Sequence, residues 1–478
     1  TVGLWDAARD RSLFETGNAI ALGGGLTLEN MLQELSSTGK GDVSEPFVCM
    51  THANGSTTCD FVYESYEIKN GRDELEGLPC AVESGGGMGE GTGVADGVTQ
   101  LIVTLWDTFY RQKLELIYVT WDDCDVITRS ARLTNESDDV ERVDRLMSTQ
   151  IDMRMYKEYD MIHFGGAWAR EMHRSEHPVR QGKVAVSSST GTSGSRANPF
   201  FMVAEHGCSE EHGECYGFNL IYSGDHMESC EQNSYGRMRI IGGINPEGFT
   251  FVLEPGRSLQ SPEAVMTYSD TGFGGVSSRM HAFVRRHIVR GLWADRERPV
   301  LLNSWEAAYF DINEKKLLKL AKEAKKCGIE LFVMDDGWFG HRDDDTSSLG
   351  DWQENLSKLP GGVKQLADKI NALGLEFGIW VEPEMVNEDS DLYRAHPEWA
   401  VRVPGQSHAE GRHQMLLDLT NKEVRDHIVS SMTKVFSFAN ISYVKWDMNR
   451  IMSDRYSQTL PSDRQGEFGH RYVLGLYD

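Results

Sequence analysis

Beyond Pro299 the chain alternates short apolar runs with amphipathic stretches of helical period, and this alternation constrains its fold more than any other feature. A strand, then a helix, then another strand returns the backbone parallel to itself, so the pattern predicts a parallel sheet or (β/α) barrel. Four units are legible. Leu301–Trp305 precedes a helix from about Asn313 to Lys326, with Asp311 placed to cap it, Glu314 three residues on and Gly328 as its stop. Glu330–Met334 precedes the stripe Val363, Leu366, Ala367, Ile370 and Leu373, ended by Gly374. Glu376–Val381 precedes Val424, Ile428, Met432 and Val435, whose spacing puts them on one helix face. Ser442–Trp446 is followed, after a polar stretch, by a helical start at 467–477. A closed barrel takes eight such units in ~250 residues, so 299–478 is expected to hold about half of one and the chain is expected to stop mid-domain.

Before residue 275 the grammar is that of strands. Phe61–Tyr66, Gln100–Trp106, Lys113–Val119, Val126–Leu133 and Phe249–Leu253 are separated by Gly, Asp, Asn and Ser, which predicts a large β domain over 1–275. The glycine-rich stretch 85–93 reads as a hairpin loop; no helical pattern follows it, so it lacks the context of a phosphate cradle. Ser277–Leu292 carries Met280, Phe283, Val284, His287 and Ile288 at helical spacing among basic residues and is expected to be a linker helix within 276–298.

Charge and length narrow the partners. With 48 basic and 73 acidic side chains the net charge is −25, which repels phosphate backbones and anionic lipid, argues against nucleic acid and membrane surfaces as partners, and leaves neutral small molecules as easier ligands. No apolar run approaches the ~20 residues that span a bilayer. Eight cysteines in 478 residues are too sparse for a disulfide scaffold, and a cytoplasmic location is expected. The chain opens Thr-Val-Gly with no Met and no leader, so its native start is expected to be missing.

Candidate chemistry gathers at the ends of the four strands, where barrel enzymes place it. In Tyr-Val-Lys-Trp-Asp-Met-Asn-Arg, alternation puts Lys445, Asp447 and Asn449 on one face; a carboxylate between an ammonium and an amide suits a nucleophile, and equally a buried ion pair. Asp335 and Asp336 end the second strand; sugar hydroxyls would supply the donors that adjacent carboxylates need, as would a turn. Trp305 and Trp380 sit at strand ends, able to stack on a pyranose or to pack in the core. Glu382 and Glu384 offer an acid catalyst or a loop anchor. His206, Cys208, His212 and Cys215 have ligand chemistry, but their spacing fits no standard zinc pattern, and no Gly-x-Ser-x-Gly elbow supports a serine hydrolase.

The motifs have a family resemblance. Gly-Lys-Gly-Asp-Val-Ser-Glu-Pro (39–46), Leu-Glu-Gly-Leu-Pro (75–79), Asp-Val-Ile-Thr-Arg-Ser (125–130), Gly-Ala-Trp-Ala-Arg-Glu (166–171), Asn-Ser-Trp-Glu-Ala (303–307), Asp-Asp-Gly-Trp-Phe-Gly (335–340), Trp-Val-Glu-Pro-Glu-Met-Val (380–386) and Lys-Trp-Asp-Met-Asn-Arg (445–450) occur in one order. Together they resemble bacterial-type α-galactosidases of glycoside hydrolase family 36. The resemblance implies an N-terminal β-supersandwich, the first half of a (β/α)₈ TIM-type barrel, and retaining cleavage of terminal α-1,6-linked galactose from raffinose-family oligosaccharides, melibiose and galactomannan branches. It implies Asp447 as nucleophile, Asp335 and Asp336 on galactose O4 and O6, Trp305 and Trp380 shaping the pocket, and Arg412, Lys445 and Asn449 on other hydroxyls. Asp42 matches an N-terminal loop residue that helps complete the site in oligomeric members, so a homotetramer is expected; no metal or organic cofactor is implied. The family's acid/base Asp lies in a Cys-Ser-Gly-Gly-type motif that this sequence does not contain, and it is expected beyond residue 478. A galactosyltransferase of the raffinose- or stachyose-synthase type, or an inactive galactoside-binding fragment, are the alternatives.

Overall fold

The computed structural model describes residues 28–83 and 97–478, so the glycine-rich stretch 85–93 lies outside the described residues. The chain divides between Ala294 and Asp295 into two compact units.

The first unit is built on two antiparallel sheets, one of ten strands and one of five. Consecutive hairpins form the middle of the larger sheet: Val98–Asp107, Gln112–Trp121 and Val126–Asn135 pair with Val98 opposite Trp121 and Trp121 opposite Val126. Arg111 and Asp125 adopt left-handed φ of 54° and 53° at the connections. Each of these strands extends a few residues past the apolar run that marks it, because pairing continues wherever a partner is available. The long strand Glu141–Arg154 belongs to the smaller sheet and pairs with Val48–Thr51 and Arg237–Ile244. Tyr159, Met161, Phe201, Val203 and Phe218 of the larger sheet pack on Cys230, Met238 and Ile240 of the smaller one, forming one core between them.

The helix expected as a linker belongs to this unit. It runs Phe273–Phe283, continues as a π-helical turn over Val284–Ile288, and seats Phe273, Val276, Met280 and Phe283 against Trp121, Ile162 and Met202 of the larger sheet. It starts at Phe273 rather than Ser277 because Gly274 and Gly275 serve close packing, not a loop. A Cβ on Gly274 would stand 2.7 Å from the Glu210 carbonyl oxygen, and one on Gly275 2.1 Å from Ser269 Oγ.

The second unit holds a four-stranded parallel sheet in sequence order: Leu301–Asn303, Leu331–Met334, Glu376–Val381 and Tyr443–Trp446. The two inner strands are buried on both faces except at Glu376, as a sheet covered by helices requires. Tyr443, Val444 and Trp446 on the fourth strand remain 38–44 % exposed. The helices Glu314–Lys326, Gly362–Asn371, Lys422–Phe436 and Phe468–Tyr477 follow the four strands. The first of them is capped by Asn313, whose side chain accepts from the Lys316 N–H at 3.0 Å, and not by Asp311, which pairs instead with the Lys316 ammonium. The cap must directly precede the first helical turn, and Asp311 is two residues too early. A two-stranded hairpin of Met385–Asn387 and Gln414–Leu416 interrupts the third connection. No helix among the described residues is long and apolar enough to cross a membrane.

Candidate active site

The C-terminal ends of the four parallel strands bring their polar residues to one place. Asp335 and Asp336 directly follow the second strand, Glu382 and Glu384 the third, and Asp447 the fourth. Lys445 lies between two carboxylates: its Nζ donates to Asp335 Oδ2 at 2.8 Å and stands 3.8 Å from Asp447 Oδ2. The closer partner is Asp335, so the ammonium reaches from the fourth strand to the end of the second while it stays beside Asp447.

Asp447 is held from the third strand. Its backbone N–H donates to the Val381 carbonyl at 2.9 Å, and the Trp380 indole N–H donates to its Oδ2 at 3.1 Å. Trp380 is itself 2 % exposed, stacked at 6.2 Å on Phe339, with its carbonyl accepting from the Trp338 indole at 3.0 Å. A rigid donor therefore aims the Asp447 carboxylate, which remains 31 % exposed. This indole contact was not visible in sequence, since Trp380 reads there as a ring that stacks on a pyranose or packs in the core, not as a donor.

Asp335 and Asp336 have separate sets of donors, which is how adjacent carboxylates coexist. Asp335 accepts from Asn303 Nδ2 at 2.5 Å, from Lys445, and from the Asp336 N–H at 2.9 Å. Asn303 Oδ1 also accepts from the Trp305 N–H at 2.7 Å, tying half-buried Trp305 to the same carboxylate. Asp336 faces Arg342, whose Nε and Nη2 reach its oxygens at 3.0–3.2 Å, and accepts from the Gly337 N–H at 2.7 Å. Burial pushes the Asp336 carboxyl above its ordinary value, and the Arg342 guanidinium opposes the shift. Arg342 is a site residue that the sequence did not reveal.

The two glutamates lie beneath this surface. Both are 0 % exposed. Burial, with Asp447 and Asp336 adding negative charge, pushes Glu382 up to about 7; burial beside Glu382 holds Glu384 well above the carboxylate range. Asn449 does not extend the alternation of Lys445 and Asp447, because the strand ends at Trp446; its side chain is exposed and its backbone N–H donates to Glu382 Oε1 at 3.0 Å. Arg412 is exposed, in the left-handed region at φ 56°, and lowers the Glu382 pKa by its charge.

Asp42 belongs to the first unit. Its buried side chain is bound by Arg239 at 2.7 Å, Arg237 at 3.2 Å and Gln33, and both arginines also meet Asp152. His206 pairs with Asp160 at 2.8 Å, and Cys215 is paired in the strand Cys215–Ile221. Among the described residues, Asp123, Cys124 and His287, and Glu388, His408 and Glu410, each bring three potential ligand atoms within 4.8 Å of one another. In each group the histidine is already bonded to a carboxylate, at 3.0 and 2.9 Å.

Residues 3–254 match the glycosyl hydrolase family 36 N-terminal domain, and residues 258–478 match the melibiase family. The chain belongs to glycosyl hydrolase family 36. Within that family it is 43 % identical over 451 residues to the α-galactosidase AgaA of Geobacillus stearothermophilus, and 41 % identical over 450 residues to the α-galactosidase Mel36A of Lactobacillus acidophilus. Each alignment covers 94 % of this chain and 60 % of the relative, so the chain spans about three fifths of their length. The crystal structure of AgaA superposes with a TM-score of 0.91 at 42 % identity, over 95 % of this chain and 62 % of that one. AgaA variants have also been crystallised with stachyose and with raffinose.

Proposed function

We propose that this chain carries the galactose-recognition and nucleophile part of a retaining exo-α-galactosidase site, acting on terminal α-1,6-linked galactose of raffinose-family oligosaccharides, melibiose and galactomannan branches. The observation that carries the reading is the placement of Lys445 between Asp335 and Asp447 at the ends of parallel strands. In this reading the four-stranded sheet is the first half of a (β/α)₈ barrel, the two antiparallel sheets are its β-supersandwich, and the assembled enzyme is a homotetramer. The exposed apolar side chains of Tyr443, Val444 and Trp446 support a barrel continued by further strands.

Asp447 attacks the anomeric carbon from the face where the Trp380 N–H and the Lys445 ammonium orient its carboxylate. Asp335 and Asp336 accept from the sugar's O4 and O6 hydroxyls, with Trp305 and Trp380 walling the pocket and Arg412 and Asn449 reaching other hydroxyls. A retaining mechanism needs a second carboxyl ~5–5.5 Å from the first to protonate the leaving oxygen and then activate water. Asp335 and Asp336 are bound to cations, and Glu382 and Glu384 are fully buried. We assign that role to the part of the relatives' length that this chain does not span. Calorimetric titration with galactose and with glucose, its C4 epimer, tests the recognition half. Galactose should bind, glucose should bind at least tenfold more weakly, and Asp447→Asn should retain galactose. Equal affinities for the two sugars would defeat the assignment of Asp335 and Asp336.

A further inference from the structure

The reaction above leaves two buried carboxylates without a part. Glu382 and Glu384 follow the third strand at i and i+2, and neither side chain reaches solvent. Keeping a pair of carboxyl groups in so dry a place is costly, so each requires a specific partner. The partners lie on either side of Asp447. Glu384 Oε2 accepts the Trp446 indole N–H at 2.5 Å, and Glu382 Oε1 accepts the Asn449 backbone N–H at 3.0 Å. Gln414 Nε2 steadies Glu382 from the neighbouring hairpin, at 3.2 Å from Oε2.

These contacts begin where the sheet stops. Backbone pairing between the third and fourth strands ends at Val381 opposite Trp446, and the Asp447 N–H makes one more bond to the Val381 carbonyl. Past that point no ladder fixes the chain. A shift of the 447–449 segment by an ångström would carry the carboxylate away from the Trp380 indole, and displacements of that size are costly to catalysis.

We propose that Glu382 and Glu384 are positioning residues that clamp the chain on both sides of Asp447 and so fix where its carboxylate stands, exchanging no proton with substrate. The clamp rests on the reading of Asp447 as nucleophile. Its chemistry is that of an acceptor. Glu384 accepts the Trp446 bond through Oε2, its Oε1 has no partner among the described residues, and burial favours its neutral form. Each bond to the 446–449 segment needs one acceptor oxygen and no charge, so a side-chain amide can replace it; at Glu382→Gln the new NH₂ would face Gln414, whose Oε1 has no partner among the described residues and can turn to accept it.

The test uses the whole 478-residue chain labelled with ¹⁵N-tryptophan. The Trp446 indole signal reads Glu384 directly, and the Trp380 signal reads the Asp447 carboxylate; each is assigned by its Trp→Phe variant. Glu384→Ala should shift the Trp446 signal upfield and move the Trp380 signal toward its position in Asp447→Asn. Glu382→Ala should move the Trp380 signal likewise. Glu382→Gln and Glu384→Gln should rescue the Trp380 signal, and Trp446→Phe, which removes one jaw from the other side, should displace it. A Trp380 signal that stays in place in the Ala variants, or that moves as far in the Gln variants as in the Ala variants, overturns the clamp. Should an Ala variant fail to fold, the Gln variants and Trp446→Phe still decide. The signals are read without substrate, so failure to bind or cleave a galactoside would refute the role of Asp447 while leaving the clamp separately tested.

Discussion

Replacing Arg342 with Met should destabilise the second unit by about 3–5 kcal/mol at neutral pH, because it strands a buried carboxylate. Asp336 is 2 % exposed and Arg342 is 0 % exposed, and their three contacts at 3.0–3.2 Å are the only cationic partnership of that carboxyl among the described residues. Met keeps the apolar stem and removes the charge, together with the bonds Arg342 makes to the Ser347 carbonyl at 2.8 Å and Asn387 Oδ1 at 3.1 Å. The Gly337 N–H would be the remaining donor to Asp336. Burial already holds this carboxyl above its ordinary value of 3.8 with Arg342 present, and the substitution raises it further. As pH rises from 3.8 to the folded-state value, the unfolded chain sheds a proton that the folded chain keeps, so stability falls across that window. The variant should therefore lose more stability at pH 8 than at pH 5. Urea unfolding followed by tryptophan fluorescence reads it, since Trp338, Trp352 and Trp380 are buried in this unit. A loss under about 1 kcal/mol, or one equal at the two pH values, would refute the reasoning.

Three further outcomes follow from the same geometry. Trp380→Phe keeps the stack on Phe339 and removes the donor to Asp447; with ~1.5–3 kcal/mol for a bond to a charged group, galactosylation of Asp447 by an aryl galactoside should slow roughly 10- to 150-fold, and an unchanged rate would show that the indole does not orient the nucleophile. Glu382 is held up to about 7 in the folded chain, against 4.5 when exposed, so it penalises folding progressively as pH climbs between those values; Glu382→Gln should gain on the parent chain across that window in urea titrations, and a constant difference would contradict the shift. Asp42→Ala leaves Arg237 and Arg239 sharing Asp152 alone, which should cost the first unit about 3–5 kcal/mol with no sugar present; unchanged melting with altered galactose binding would instead assign Asp42 to the site.

What the sequence made legible follows the range of the interactions involved. Strand-and-helix alternation and the helical stripes through Val363 and Val424 depend on neighbours within a few residues, and they appear in the structure close to where the period puts them. Lys445 and Asp447 are two apart on one chain, so their facing was readable, whereas the preference of Lys445 for Asp335, 110 residues away, was not. Arg342 was hidden in an acidic loop, where one cation among Asp343, Asp344 and Asp345 reads as a solvated charge. The helix start at Phe273, four residues before Ser277, was not legible because Gly274 and Gly275 carry no apolar side chain to mark the stripe and their close packing against Glu210 and Ser269 is a property of the fold. Glu382 and Glu384 were ambiguous between acid and anchor, since burial alone separates the two and burial is a property of the fold.

The central claim is that Asp447 is a nucleophile that Lys445 and Trp380 keep ready. The most direct measurement is intact mass and peptide mapping of this chain after incubation with dinitrophenyl α-galactoside, whose leaving group departs without an acid catalyst. The account predicts one galactosyl group per chain, carried on the peptide containing Asp447 and absent from Asp447→Asn. No adduct from a chain that binds galactose, or an adduct on another carboxylate, would contradict it.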